Sequence, residues 1–208
     1  MLQKYHVQIL QKALGDTFSS VALAKIIRAN VYQDRVSAQL GHDEYHFDNN
    51  AFEKSYAYIE QQRALVISSL HQADTNFAWS AFGRLTHTIQ DFYAHSNYID
   101  LWLALHTNGS RPAPLMVDPV EPALIESGEL RSGKIYYPWE VFSFIKILKP
   151  LVLPFMPRDS HAWMNIDSPE QGFKFEYVMQ ASIKRTVIEF EKTVKELRED
   201  RVKLFVDR

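Results

Sequence analysis

Apolar residues recur at every third or fourth position along most of the chain, which is the spacing of amphipathic helices. Runs that alternate apolar and polar residues, as strands do, are not found in the sequence. The pattern therefore predicts an all-α fold of roughly five to seven helices. The first four are predicted at about Leu2–Leu14, Thr17–Ser37, Phe52–Leu70 and Thr75–Leu105.

Polar and helix-breaking residues indicate where these helices begin and end. The candidates for capping the second and fourth helices are Asp16, Thr17, Asp74 and Thr75. Prolines and glycines between residues 106 and 137 predict a long loop, which is followed by a short helix that ends before Pro150 and by a second irregular stretch. Ser168-Pro-Glu-Gln171 has the pattern of a capping box, so we expect the last helix to begin there.

The composition narrows the class of protein. With 208 residues and 46% hydrophobic content, the chain can bury a core as one domain. The net charge of −2 gives no electrostatic reason to bind duplex DNA, and the absence of cysteine excludes disulfides and thiolate metal sites. Because the sequence has neither the roughly 20 apolar residues of a membrane span nor a secretory signal, we expect a cytoplasmic protein.

The most informative motif is His87-Thr-Ile-Gln-Asp91-Phe-Tyr-Ala-His95. Residues four apart on a helix lie about 40° apart on one face, so these three side chains form a ladder with the carboxylate between two imidazoles. Imidazole nitrogens and carboxylate oxygens are zinc ligands, and an aspartate can bridge two ions. The spacing therefore predicts a metal site on the fourth helix.

Further candidate ligands stand before and after this ladder. They are His6, Asp34, His46, His161, Asn165 and Asp167. The order His, Asp, His, His-x3-Asp-x3-His, His resembles that of the zinc-dependent phospholipase C superfamily, which also contains single-strand nucleases. The segments Gly83–Asn97, His46-Phe-Asp48 and His161-Ala-Trp-Met-Asn165-Ile-Asp167 are most similar to the heterokaryon-incompatibility (HET-C-like) branch of that superfamily.

The resemblance implies a multi-helix phospholipase C/nuclease-type fold with two or three zinc ions in a cleft. Residues 1–208 would form this single domain, with irregular insertions at 106–137 and 150–167 over the cleft. The implied ligands are Asp34, His46, His87 and Asp91 for one ion, Asp91 and His6 for the second, and His95, His161 and a further oxygen for the third. Other divalent metals can take the same ligands.

Two departures from the family pattern affect the implied site. The second ion of the family is also bound by an N-terminal amine, whereas five residues precede His6 here, so we expect that ion to be weakly held or absent. The last ligand of the family is an acid where this chain has Asn165, so either Asn165 or Asp167 supplies that oxygen. Asp48 and Asn30 are either partners that orient imidazoles or caps of a turn or helix.

The leading functional hypothesis is a phospholipase C-like enzyme that hydrolyses phosphodiesters or phosphomonoesters. Clustered zinc makes a strong nucleophile of water and offsets charge on the phosphoryl group, and Asp34 is implied as ligand and as base. The substrate would be a small phosphoester or a phospholipid headgroup. Two alternatives stay open: a single-strand nuclease or nucleotidase that uses the same site, and a non-catalytic, HET-C-like metal-binding module in signalling.

Other conspicuous residues have plainer interpretations. The histidines that fit no ligand position, and are expected at the surface, are His42, His71 and His106. The aromatic residues expected in the core are Trp79, Phe82, Phe92 and Tyr98. The apolar segment from Phe142 to Met156 is expected to pack over the cleft, with peripheral contact to a lipid surface as the alternative.

Overall fold

The computed structural model describes residues 1–35, 38, 41–143, 145 and 147–208. Every regular element in these ranges is a helix, which confirms the all-α prediction. The α-helices with both ends in these ranges are α1 (Gln3–Leu14), α2 (Ser20–Tyr32), α3 (Asp43–His46), α4 (Phe52–His71), α5 (Thr75–His95), α6 (Tyr98–His106), α7 (Pro122–Ile125), α8 (Trp139–Ser143), α9 (Lys149–Val152), α10 (His161–Met164), α11 (Lys174–Lys195) and α12 (Glu199–Val206).

Helix α5 forms the centre of the fold. It packs against α2, α4 and α11, with α3 and α12 touching it as well. From Leu85 to His95 every residue is buried, because neighbouring helices surround this part of α5 on all sides. The aromatic residues predicted for the core are buried, as expected: Trp79, Phe82 and Phe92 lie on α5, and Tyr98 lies on α6. The metal-ligand ladder is therefore carried by the most enclosed helix.

Gly83 sets the distance between α2 and α5. A Cβ atom at this position would lie 2.4 Å from the carbonyl oxygen of Ile26 and 2.7 Å from the Cβ of Ala29. Only glycine permits this approach of the two backbones. The close packing brings the end of α2, and Asp34 just beyond it, to the ladder on α5.

The fourth predicted helix was expected to continue to Leu105, and this is wrong. Helix α5 ends at His95, Ser96 has extended backbone (φ −110°, ψ 169°), and α6 begins at Tyr98. The backbone N–H of Asn97 donates to the carbonyl of Arg131 at 2.9 Å, and the Asn97 side chain accepts from the Arg131 N–H at 2.7 Å. Pairing with a distant loop therefore interrupts a helix that local propensity would continue.

The ends of α2 and α5 test the predicted caps. Ser19 caps α2, since its Oγ accepts from the N–H of Ala22 at 3.1 Å, so the prediction of a cap at residue 16 or 17 is wrong. Asp74 caps α5 as predicted, accepting from the N–H of Phe77 at 3.0 Å. Helix α2 ends at Tyr32 in the described residues, and the predicted end at Ser37 lies outside them.

The C-terminal helix does not begin at the capping box. Ser168 and Gln171 form the box, but it closes a 3-10 turn over Pro169–Gln171. Gly172 then takes a positive φ of 96°, which ends the turn, and α11 begins at Lys174. The chain continues beyond α11 into α12, which buries Phe205 completely.

The two irregular segments contain only short helices in their described residues, as the prolines predicted. Helix α8 is the predicted short helix. Helix α9 follows, with Pro150 in its first turn, where a backbone N–H would have no partner within the helix and proline is tolerated. The segment from Phe142 to Met156 was expected to pack over the cleft, but in its described residues this holds only in part: Met156 is buried, whereas Ile147 is 82% and Phe155 87% exposed. Among the described residues, no helix has the length and hydrophobicity to cross a bilayer.

Candidate metal centre

Five histidines and four aspartates from distant parts of the chain converge beside α5. They are His6 on α1, Asp34 after α2, His46 and Asp48 at α3, His87, Asp91 and His95 on α5, and His161 and Asp167 at and after α10. Asn165 joins them through a hydrogen bond from its Nδ2 to Asp167 Oδ2 of 2.7 Å. Every ligand position predicted from the sequence is thus in or beside one cluster, whereas the remaining histidines His42, His71 and His106 are half-buried or exposed elsewhere.

Asp91 is the centre of the cluster and is completely buried. Its Oδ2 lies 2.9 Å from His46 Nδ1 and 3.0 Å from His87 Nε2. Its Oδ1 lies 3.3 Å from His6 Nε2 and 2.7 Å from the amine of Met1. Its Oδ1 also lies 3.9 Å from His95 Nε2. Both oxygens of the carboxylate therefore face possible metal ligands, which is the position that a bridging ligand needs.

Two groups of side chains have ligand atoms close enough to share an ion. The groups are His6, Asp34, His87 and Asp91, and separately Asp48, His95 and His161, with all ligand atoms of a group within 4.8 Å of one another. Ligand atoms about 2.1 Å from one zinc ion lie roughly 3–4 Å apart, so small side-chain adjustments would close each group on an ion.

Hydrogen bonds outside the cluster fix which nitrogen each imidazole presents. His6 Nδ1 lies 2.6 Å from Gln90 Oε1, and His95 Nδ1 lies 2.9 Å from the carbonyl oxygen of His46. Because a carbonyl oxygen only accepts, both rings donate from Nδ1 and, when neutral, have their lone pair on Nε2. Both Nε2 atoms face carboxylates of the cluster at 3.2–3.3 Å.

A second layer of buried polar residues supports these imidazoles. Asn30 Nδ2 donates to Gln90 Oε1 at 3.3 Å, and His161 Nδ1 donates to Asp48 Oδ1 at 2.8 Å. Of the two roles that the sequence left open for Asn30 and Asp48, these contacts favour orientation of the imidazoles over capping of a turn or helix. Sequence reasoning missed Gln90, although its place inside the ladder, directly before Asp91, was a usable signal.

Several buried ligand atoms have no hydrogen-bond partner within the described residues. They are His6 Nε2, Asp34 Oδ2, His46 Nε2 and His87 Nδ1. Buried polar atoms in folded proteins are almost always satisfied. Four orphaned nitrogen and oxygen atoms in one cluster are what a cation site requires, so the donor set fits a bound metal ion.

The surroundings shift the pKa values of the ligand residues in different directions. Burial lowers the pKa of His87 to about 4, so its ring is neutral at pH 7 and has a free lone pair. Burial would also lower the pKa of His161, but the charge and hydrogen bond of Asp48 raise it to about 9. Burial alone would raise the pKa of Asp91, yet the Met1 amine and the surrounding imidazoles lower it. The carboxylate is therefore ionised throughout the neutral range.

The cluster is closed rather than open to a substrate. His6, His87 and Asp91 are 0% exposed, and the side chain of Asp167 is only 20% exposed. In the part of the chain that the structure describes, a cleft of about 570 Å³ reaches Asn165 but none of the other predicted ligands. Structural zinc sites are closed, whereas catalytic sites keep an open coordination position.

Gly133 fastens the first irregular segment over the cluster. A Cβ atom here would lie 2.5 Å from the Cα of His161, so only glycine allows this contact. Its N–H donates to the carbonyl of His95 at 3.0 Å, and its carbonyl accepts from the N–H of Asn49 at 2.9 Å. Sequence reasoning missed this residue, since nothing local distinguishes it from the other glycines of the loop.

Two relatives are similar to part of this chain. The von Willebrand factor A domain-containing protein 7 of Rattus norvegicus is 30% identical over 91 residues, which are 42% of this chain and 10% of that protein. The Homo sapiens protein of the same name is 29% identical over 80 residues, or 38% of this chain and 9% of that protein. The chain therefore covers about a tenth of these relatives. No solved structure matches the chain.

These comparisons overturn the resemblance to the zinc-dependent phospholipase C superfamily and its HET-C-like branch. Phosphoester hydrolysis as the main function, with Asp34 as its base, is wrong on the same grounds, and the non-catalytic alternative is better supported. The spacing of His87, Asp91 and His95 does not identify a family, because residues four apart share a helix face in any helical metal site, whatever its ancestry. The family model of the VWA7 N-terminal domain matches residues 3–108, slightly more than half of the chain, and the chain belongs to this family.

Proposed function

We propose that this chain is a non-catalytic metal-binding module that holds two or three Zn²⁺ ions in the buried cluster around Asp91. The observation that carries the proposal is the convergence of nine ligand-grade side chains with four buried ligand atoms that have no hydrogen-bond partner within the described residues. The enclosure of the cluster supports a structural rather than a catalytic role. Enzymatic activity stays a prediction from the sequence, whereas the proposal here is that the module has none.

Charge balance supports divalent cations in this cluster. Four carboxylates, those of Asp34, Asp48, Asp91 and Asp167, lie within or next to it with little exposure to solvent. Burial of ionised carboxylates is unfavourable unless opposite charge compensates them. Divalent ions would add to the charge of the Met1 ammonium group, which lies 2.7 Å from Asp91 Oδ1, in compensating the four carboxylates, while the imidazoles would contribute as neutral ligands.

The contacts favour a division of ligands that differs slightly from the one implied by the resemblance. The first ion would take His6 Nε2, Asp34 and His87, with Asp91 as the bridging ligand. The second would take Asp48, His95 and His161, with Asp167 Oδ1, which lies 3.2 Å from His95 Nε2, as a further oxygen ligand.

Asp167 is preferred over Asn165 as the last oxygen ligand. The Nδ2 of Asn165 donates to Asp167 Oδ2, and Asp167 Oδ1 lies 3.2 Å from His95 Nε2. The amide thus orients the carboxylate, and the charged oxygen is the better zinc ligand.

The role of the ions would be to join parts of the chain that are far apart in sequence. The ligands come from α1, the end of α2, α3, α5 and the segment that follows α10. Because the unfolded chain has no such site, zinc would stabilise the folded state, by about 4 kcal/mol at a free concentration one thousand times Kd. The irregular segments 106–137 and 150–167 would then be held over the cluster through Gly133 and His161.

Calorimetric titration of chelator-treated protein with zinc chloride tests the proposal. We expect two or three equivalents to bind to the wild type, and fewer to His87→Ala, which removes a fully buried ligand. His71→Ala is the matched control, because this exposed histidine ends α4 away from the cluster. A wild type that binds no stoichiometric zinc would overturn metal binding, and chelator-sensitive hydrolysis of a chromogenic phosphodiester would overturn the non-catalytic role.

A further inference from the structure

Residues 137–155, here called the apolar segment, expose many large apolar side chains. The exposed residues of this kind are Tyr137, Trp139, Phe142, Ile145, Ile147, Leu151 and Phe155. Ile147 and Phe155 are more than 80% exposed, which few apolar side chains in a folded domain are. Single exposed apolar residues need no explanation, but a group of them within one stretch indicates an interaction surface.

In its described residues, the apolar segment is held by contacts with the rest of the fold. Helices α8 and α9 contact each other. The buried carboxylate of Glu140 accepts a hydrogen bond from the N–H of Ala162, and the indole N–H of Trp163 donates to the carbonyl of Leu153 at 3.0 Å. Both ends of the segment are thus fastened to α10, so the apolar side chains are presented on an anchored support.

The charge of this region is positive, although the whole chain has a net charge of −2. From residue 141 to 158 the sequence contains no Asp or Glu, and its charged residues are Lys146, Lys149 and Arg158. The acids that flank this stretch are engaged: Glu140 is completely buried, and Asp159 forms an ion pair with Lys134 at 2.9 Å. Exposed aromatic and aliphatic side chains bordered by basic residues are typical of surfaces that contact anionic lipid.

We propose that the apolar segment docks on an anionic membrane surface, with its exposed apolar side chains in the headgroup region and the positive net charge of residues 141–158 favouring anionic lipid. A second copy of the chain fits this surface less well, because a region of positive net charge repels its own copy. The proposal is independent of the metal cluster, since none of its ligands lies in the apolar segment.

Flotation of the full chain with vesicles tests the proposal. The vesicles contain either phosphatidylcholine alone or phosphatidylcholine with phosphatidylserine, at low and high salt. We expect the protein to float with the anionic vesicles, more weakly at high salt, and the double variant Ile147→Ser/Phe155→Ser to lower the partition coefficient about tenfold or more. Both side chains are exposed, so the melting temperature should not change.

The control is the double variant Leu115→Ser/Met116→Ser, which removes two side chains of similar size that are 69% and 67% exposed elsewhere. It should float like the wild type. Absence of wild-type flotation with anionic vesicles, or equal loss in both double variants, would overturn the proposal. Concentration-dependent dimerisation in sedimentation that only Ile147→Ser/Phe155→Ser abolishes, without vesicle binding, would assign the surface to a second copy instead.

Discussion

Substitution of Asp91 by asparagine separates a metal site from an ordinary buried hydrogen-bond network. The shape of the side chain is kept, but the charge is lost and one oxygen becomes a donating amide. Asp91 is fully buried, and its carboxylate oxygens lie 2.7 Å from the Met1 amine, 2.9 Å from His46 Nδ1 and 3.0 Å from His87 Nε2. The substitution therefore changes the charge at the centre of these contacts. We expect Asp91→Asn to lose both stability and zinc.

The loss has two contributions of different origin. Removal of one partner from a buried charged network costs about 3–5 kcal/mol, whether or not zinc is present. Loss of zinc binding removes a further contribution of about 4 kcal/mol at a free zinc concentration one thousand times Kd. For a chain of this length, 1 kcal/mol changes the melting temperature by about 2–4 °C, so the zinc-dependent part is about 8–16 °C.

Thermal unfolding with zinc and with excess chelator measures the two contributions separately. Wild type and the control Asp100→Asn, an exposed residue paired with Lys174, should both lose about 8–16 °C on chelation. Asp91→Asn should melt lower in zinc and lose nothing further on chelation. If chelator leaves the melting temperature of the wild type unchanged, a stabilising metal is refuted. If chelator lowers the melting temperature of Asp91→Asn as much as that of the wild type, the bridging role is refuted.

Three substitutions outside the ligand set test how the helices support the cluster. Gly83→Ala places a carbon 2.4 Å from a backbone oxygen of α2, so we expect urea unfolding to show a loss of about 1–3 kcal/mol. Gln90→Leu removes the acceptor that orients the α1 histidine and should weaken zinc binding about 10–100-fold by calorimetry. Burial raises the pKa of Glu189, but the charges of Arg185 and Arg63 outweigh it and lower the pKa. Its stabilisation is therefore complete above the unfolded-state pKa of about 4.3 and is lost as the pH falls through the lower folded-state pKa. Glu189→Gln should cost about 3 kcal/mol at neutral pH and flatten the fall in stability at acid pH, whereas a profile parallel to wild type would contradict this.

The features that the sequence predicts correctly are those decided by local geometry. Helix α4 was predicted to within one residue at its end, because a long periodic run without proline or glycine leaves no alternative. The cap at Asp74 depends on residues within one turn. His87, Asp91 and His95 meet because their spacing on one helix fixes their relative positions.

The features that the sequence does not predict depend on partners far along the chain. The break at Ser96 follows from pairing with the loop at Arg131, and neither residue carries a local signal for it. Gly133 matters only because His161 packs on it. The hydrophobicity of residues 142–156 predicted burial, but burial requires a facing apolar surface, and hydrophobicity alone does not say whether the fold supplies one.

Anomalous diffraction at the zinc absorption edge, from crystals of the zinc-loaded chain, locates the ions directly. The proposed site predicts two or three peaks in the cluster. One should lie within about 2.3 Å of His6 Nε2 and Asp91, and another within about 2.3 Å of His95 Nε2 and His161. A zinc-soaked crystal with these side chains in the same positions, and no anomalous peak among them, would contradict the assignment of a metal centre.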